Sequence, residues 1–415
     1  DRRELGFDSR NIALNILMTV DQEGGYANLI TPRELRKAKL EPRDSAFVTE
    51  LVYGTIRKRS LYDAIIESAA ARKLMKIDPL PLNILRLTAH QLLTLETAPH
   101  AAVDTAVRLA VKNKHGSASG FVNAVARRIS EKSMREWVHN LTQILEPIDA
   151  LSIKFAHPRW IVESYLARLG NLEEVERELI ANNVNPLTTA VVYPGDEWSR
   201  STLEASQSAL WSASCRYVEG NPELLPEIRS GAAGIQDQGS FLVAQALARV
   251  PTETSSDGLW LDMCAGPGGK AALLDRWARQ SGNAFLGLEI SEHRAALINR
   301  VSRSVVVADG AQPPIRVGGA IKILLDAPCS GSGVAGRHPD AKWLRRDEDI
   351  PALARTQRYL LKALWPLLKP GGRFVFSVTH PCFNSSRGLR RVAEEEDHDG
   401  QIIDVYSIKI SSYAT

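Results

Sequence analysis

Cysteine is scarce in this chain: Cys215, Cys264, Cys329 and Cys382 are the only four in 415 residues. None stands in a C-x-x-C or other ligand spacing, so a structural zinc site is not expected and no metal is assigned. So few thiols, outside any framework, also argue against a disulfide scaffold and fit a reducing cytoplasm. Long apolar runs are missing too. None approaches the ~18 residues that a membrane span needs, and the opening stretch DRRELGFDSR holds no secretory h-region. A cytoplasmic protein with no membrane partner is expected, and it is taken to be a monomer. An excess of one charge is lacking as well, since the net charge is only +3. With 44% hydrophobic and 24% charged residues, the chain is long and apolar enough for two or three domains with real cores.

The charge is unevenly spread. Residues 1–130 hold 20 Lys/Arg against 14 Asp/Glu, while the remainder holds 31 against 34. A basic front suits a phosphate backbone, and an ordinary solvated surface explains it equally well. Residues 10–132 read as successive amphipathic helices. Ala13, Ile16, Leu17 and Val20 recur at helical spacing, and Leu82–Leu87 resumes the pattern after Pro79-Leu80-Pro81. Strand signals are few, so residues 1–132 are expected to form an all-α domain. Residues 133–150 read as a linker and 151–233 as a small α+β connector, with a helix over 161–169 and a strand over 190–193. His157 reads as a capping or packing residue. From 234 to 415 strand and helix alternate. Strands are expected at 259–263, 284–288, 304–307, 321–325 and 373–379, and helices at 239–249, 269–280, 292–302 and 352–368. Such alternation implies a parallel sheet covered on both faces, a Rossmann-like α/β domain.

Two segments carry the chemistry. LDMCAGPGGK, 261–270, is a strand entering a glycine turn. Glycine lets backbone N–H groups approach a ligand, and at a parallel strand end this makes a nucleotide-type cofactor site. Cys264, Ala265, Gly266, Pro267, Gly268, Gly269 and Lys270 are its candidate lining. Glu289 follows about twenty residues on, where it is placed to accept from ribose hydroxyls. Asp309 and Asp326 end two further strands, and Asp309 is placed for an exocyclic amine. GPGGK is neither G-x-G-x-x-G nor a P-loop, so this turn alone is moderately specific. Cys264 reads as a packing residue. In the second segment, LLDAPCSGSG (324–333), Asp326-Ala327-Pro328-Cys329 sets a carboxylate and a thiol just past a strand. Together the two suggest a methyltransferase acting on a pyrimidine base. Cytosine C5 is a poor nucleophile until a thiolate adds at C6, which makes Cys329 and Cys382 candidate catalytic groups. Asp326, Pro328 and Lys270 are candidate contacts to the base. RHPDAKWLRR, 337–346, is basic with an interleaved tryptophan, so Arg337 and Trp343 are candidate RNA contacts, against the plainer reading of a charged loop.

Several strings resemble known families. AFVTELVYGTIRKR, PHAAVDTAVRLA and GFVNAVARRI are similar to the helical RNA-binding domain of NusB, which is fused to the front of one family of bacterial rRNA methyltransferases. DxCAGPGGK, with IQDQGSFLVAQAL, DAPCSGSG and RHPDAKW, resembles the RsmB/Sun (Fmu) family of 16S rRNA cytosine-C5 methyltransferases, over residues ~10–370 in all. The resemblance implies S-adenosyl-L-methionine as cofactor and 16S rRNA as partner. It also implies two working cysteines: a nucleophile in a Thr-Cys-Ser motif, and a Pro-Cys thiol, here Cys329, that assists product release.

Here the chain departs from the pattern. After Lys369-Pro370-Gly371-Gly372 it reads RFVFSVTHPCFNSS, with no Thr-Cys-Ser, and its tail looks more like that of a small-molecule methyltransferase. Three readings stay open: Cys382 fills the role through a local rearrangement, Cys329 is the only active thiol, or the catalytic domain is impaired and the protein chiefly binds RNA.

Overall fold

The structure is a computed structural model that describes residues 2–23, 26–253, 257–302, 304–377, 390–396 and 402–407. It divides into two compact units. One comprises Asp1–Asn185 with Gly331–Asp347, and the other Pro186–Ser330 with Glu348–Thr415.

The first unit is helical. Proline opens the helices Pro42–Arg57, Pro79–Leu93, Pro99–Lys112 and Pro147–Lys154. In a first turn its fixed φ is already helical and its missing N–H is not needed. Leu14, Ile16, Leu51, Tyr62, Ile65, Ile84 and Leu85 interlock in one buried core. Within this unit Arg86 is nearly enclosed. Its guanidinium donates twice to Asp63, at 2.6 and 2.9 Å, and once to Asp21, at 2.8 Å.

The stretch 133–150, expected as a linker, is instead mostly helix. Ser133 and Glu136 form a reciprocal capping box that starts Met134–Thr142, and Pro147–Lys154 follows. Helices Arg159–Leu169 and Leu172–Ala181 continue the unit to Asn185. The segment 151–233, expected as one connector, is therefore shared: its helices up to Ala181 belong to the first unit, and its strands with the short helices Arg200–Ala205 and Pro226–Ser230 belong to the second.

Among the described residues the second unit holds three sheets, one of them a two-stranded antiparallel pair of Arg390–Glu396 with Ile402–Ser407. Strands β1 (Thr188–Val192), β2 (Gln207–Ser208), β3 (Cys215–Val218) and β4 (Ala233–Ile235) form a small antiparallel sheet in the order β2-β3-β1-β4. Strands β5 (Leu259–Asp262), β6 (Ala284–Glu289), β7 (Val305–Val307), β8 (Ala320–Asp326) and β9 (Leu368–Ser377) form a parallel sheet in the order β7-β6-β5-β8-β9. Successive residues of β5 feed opposite faces. Trp260 packs with Phe241, Leu247 and Ala272 from the helices Gln238–Arg249 and Gly269–Gln280. Leu261 packs with Leu360 and Leu364 of the helix Ile350–Leu364. A sheet covered on both faces needs near-continuous apolar strands, which is what AIKILLD supplies in β8. The chain winds outward from β5 to β7, then crosses back to β8. The carboxyl ends of β5 and β8 thus flank the point where winding reverses, the usual place for a ligand crevice in such sheets.

Replacing Arg86 by leucine leaves Asp63 without its bidentate partner. The helical unit should lose about 3 kcal/mol, read as a lower urea midpoint in far-ultraviolet circular dichroism. An unchanged midpoint contradicts this.

Candidate active site

The turn after β5 is fastened on both sides. Met263 N–H donates to Leu324 O of β8 at 2.9 Å, and Ala265 N–H donates to Leu288 O of β6 at 2.8 Å. Gly268 has φ +116°, which an L side chain rarely adopts, and the next residue starts the helix Gly269–Gln280. At Gly266 a Cβ would stand 2.1 Å from Glu289 Oε2, so only glycine lets this carboxylate reach over the turn. The first N–H groups of a helix carry partial positive charge, so the turn and helix start form a cradle for an electron-rich group.

Three carboxylates surround this cradle. Asp262 is 1% exposed. One of its oxygens accepts from Cys264 N–H at 3.2 Å, and the other, Oδ2, is buried without a partner. Burial, reinforced by Asp326 and Glu289, pushes its pKa up to about 7 against the help of the Cys264 N–H and Lys270. Glu289, 4% exposed, accepts from Ser291 N–H at 2.8 Å and from Arg294 Nη2 at 2.7 Å through Oε1. Asp326 accepts from Lys270 Nζ at 2.7 Å. Cys264 lies among these acids. Burial first, then Asp262, Asp326 and Glu289, push its thiol up to about 12, so it stays protonated and packs.

On the other side of Asp326 comes the Pro-Cys turn. Pro328 is exposed, its carbonyl accepts from Gln357 Nε2 at 2.8 Å, and Cys329 is half-buried. In β9, Ser377 is in register with Asp326. Lys270, Asp326, Pro328 and Cys329 therefore run along one edge from the glycine turn to the thiol. Among the described residues, no group of three His, Cys, Asp or Glu is arranged to hold a metal ion.

Comparison with known proteins decides the family. The model of the family described as 16S rRNA methyltransferase RsmB/F matches residues 245–386, and that of the NusB family matches residues 8–131. MT1451 of Mycobacterium tuberculosis (strain CDC 1551 / Oshkosh), whose name specifies a methyltransferase and no substrate, is 38% identical over 383 residues, 90% of this chain and 83% of that one. Ribosomal RNA small subunit methyltransferase B of Proteus mirabilis (strain HI4320) is 30% identical over 391 residues, 90% of this chain and 88% of that one. The chain belongs to the RsmB/F family. Its fold is also that of the solved structure of PH0851, with a TM-score of 0.71 over 89% of this chain and 85% of that one, at 19% identity.

Within this RsmB/F chain, the structure brings Cys264–Lys270, Glu289 and Asp326 together with the Pro328-Cys329 turn. Asp309 is different: it is exposed, and its Oδ1 accepts from Ala311 N–H at 2.8 Å, the local turn bond of a capping acid. Cys382 lies outside the described residues, as does His380, although the family match extends past both. Trp343 is not placed as expected. Its segment is packed as part of the helical unit, with Arg337 half-buried, and the Trp343 indole rests on the helical core with Nε1 donating to Ile56 O at 2.9 Å. A ring held this way is not presented to a splayed base. Two partners were missed in the sequence, Arg294 on Glu289 and Gln357 on Pro328. Neither stands in a motif, and only the folded chain brings them there. His157 is buried, with Nδ1 bonded to Phe155 O at 2.7 Å, as a packing histidine should be.

The raised pKa of Asp262 has a stability consequence. The folded state holds this proton up to about pH 7, whereas an unfolded aspartate releases it near pH 4. Its contribution to stability is therefore fully present at low pH and is lost as pH rises between those values. Asp262→Asn should stabilise the ligand-free protein by about 2–4 kcal/mol at pH 8, with the gain shrinking toward pH 5. Urea titrations of both proteins at several pH values check this, and a pH-independent difference contradicts it.

Proposed function

We propose that the protein methylates C5 of a cytosine in 16S rRNA, with S-adenosyl-L-methionine as donor, through a covalent cysteine adduct. The observation that carries this reading is the Lys270–Asp326 pair, which joins the glycine turn directly to the strand end that bears Pro328-Cys329. A cofactor held on the first and a base held on the second would share one edge of the sheet.

The residues fit the cofactor. The unpartnered Oδ2 of Asp262 calls for a hydrogen-bond donor, and an ammonium group beside it would favour the ionised carboxylate. Glu289 would accept from ribose hydroxyls, and the start of the helix Gly269–Gln280 would face the electron-rich end. Bound there, the cofactor supplies an electrophilic methyl on a sulfonium.

The protein's own part is to make C5 nucleophilic. A cysteine thiolate would add to C6, and the electron pair displaced from the C5–C6 double bond would take the methyl carbon as its bond to sulfur breaks, leaving the neutral thioether S-adenosylhomocysteine. A base then takes the C5 proton, the double bond re-forms, and the thiolate leaves. Asp326 would accept from the exocyclic amine of the base, with Lys270 holding that carboxylate in place. In this scheme Cys382 is the nucleophile and Cys329 the releasing thiol. Support comes from the register of β9, the strand that precedes Cys382 in the chain: its Ser377 pairs with Asp326. The basic helical unit would grip rRNA phosphates, and the protein would act as a monomer in the cytoplasm, where ribosomes are assembled.

RNA carrying 5-fluorocytosine at the target should trap the adduct, because fluorine cannot leave as the proton does. Cys382→Ala should abolish the trapped species. Cys329→Ala should still form an adduct with ordinary RNA and release it slowly. Loss of trapping in Cys329→Ala with trapping intact in Cys382→Ala would reverse the two roles, and no adduct with the unmodified protein would sink the covalent scheme.

A further inference from the structure

The strap Gly331–Asp347 departs one residue after Ser330 and returns at Glu348, and throughout it is packed as part of the helical unit. Its two ends bracket the Pro-Cys turn. Ser330 follows Cys329 directly, and Glu348 leads into the helix Ile350–Leu364, whose Gln357 holds Pro328 O at 2.8 Å. Several bonds fix the strap. Arg57 Nη1 donates to Gly336 O at 3.0 Å, Ala27 N–H donates to Asp340 Oδ2 at 3.0 Å, and Trp343 Nε1 donates to Ile56 O.

Lys342 is the centre of this anchorage. It is 0% exposed, and its ammonium donates to Arg57 O at 2.8 Å, Ala156 O at 2.8 Å and Asn183 Oδ1 at 3.0 Å. An ammonium has three donors, and all three are used. Arg57 ends the helix Pro42–Arg57, Ala156 lies just past the end of Pro147–Lys154, and Asn183 lies just past the end of Leu172–Ala181. Helix C-termini carry unsatisfied carbonyls and partial negative charge, so the cation meets two such carbonyls, and at a third helix end the side-chain amide oxygen of Asn183. Burial, with the Arg57 guanidinium nearby, still holds its pKa well below the usual lysine range. A buried cation with no carboxylate partner is an expensive way to fill space, since a methionine would pack there without desolvating a charge.

We propose that Lys342 is a positioning residue for the Pro328-Cys329 turn: by pinning the strap to three helix ends, it fixes both flanks of the segment that presents the thiol. The helical unit then acts on the chemistry through the chain itself, besides any grip on RNA. The link to base methylation rests on the reading under Proposed function, whereas the link to the thiol does not.

The test uses the full chain with Lys342→Met. Peptide-resolved alkylation of Cys329 by iodoacetamide should quicken several-fold, while affinity for S-adenosylhomocysteine is unchanged. Single-turnover methylation of 16S rRNA fragments should fall on the order of 10- to 100-fold, as misplacement of a reacting group does, with KM for the cofactor unmoved. Lys342→Gln, which keeps an amide donor, should recover part of both. If Lys342→Met does not fold, Trp343→Phe and Arg57→Lys each weaken one anchor and should quicken Cys329 alkylation in the same direction. Alkylation at the unmodified rate in every folded variant overturns the proposal. Absence of methylation by the unmodified protein would count against the enzymatic reading, and the alkylation result would still decide the role of Lys342.

Discussion

The ion pair between Lys270 and Asp326 holds the site together. Three carboxylates, Asp262, Glu289 and Asp326, converge on one glycine turn, and mutual repulsion in a half-dry crevice would drive them apart or protonate them. Lys270, in the first turn of the helix Gly269–Gln280, sets an ammonium 2.7 Å from Asp326. Arg294 does the same for Glu289 from the far side. Asp262 alone receives no such partner and keeps its proton to near neutrality. The site thus contains two acids fixed in orientation by cationic partners and a third that a cationic ligand could ionise. That asymmetry follows from sheet order, because β5 is central and its end is the driest.

Much of this was legible in the sequence because buried parallel strands read as apolar runs punctuated by glycine. The expected strands 259–263, 284–288, 304–307 and 321–325 match β5 to β8 within a residue or two, and the helix 269–280 matches to the residue. The start of β9 was hidden by Pro370-Gly371-Gly372, which reads as a turn although the strand already begins at Leu368. Helix 292–302 was read too long, since it stops at Ile298 and Asn299–Val301 form turns. The capping box Ser133–Glu136 was a readable signal for helix within the supposed linker. What no local pattern could supply was the destination of 337–346. A basic stretch with a tryptophan looks like an RNA contact until tertiary partners appear, and then Lys342 and Trp343 prove to be spent on helix ends. Charge in a sequence does not say whether water or a carbonyl will solvate it.

The division of the chain carries a similar lesson. The NusB match ends at residue 131, yet the helical unit continues to Asn185 and recovers a seventeen-residue strap from the middle of the catalytic sequence. A unit built from two distant pieces of chain cannot be removed cleanly by cutting between them. The helical and catalytic parts of this RsmB/F protein are joined both by succession and by exchange of a segment.

The central claim is the identity of the modified atom. It is tested most directly by mass spectrometry of nucleosides and fragments from 16S rRNA transcribed without modification and incubated with the purified protein and S-adenosyl-L-methionine. The account predicts a single new methyl group on C5 of one cytosine. A methyl group on a ribose, on an exocyclic amine or on another base would contradict it.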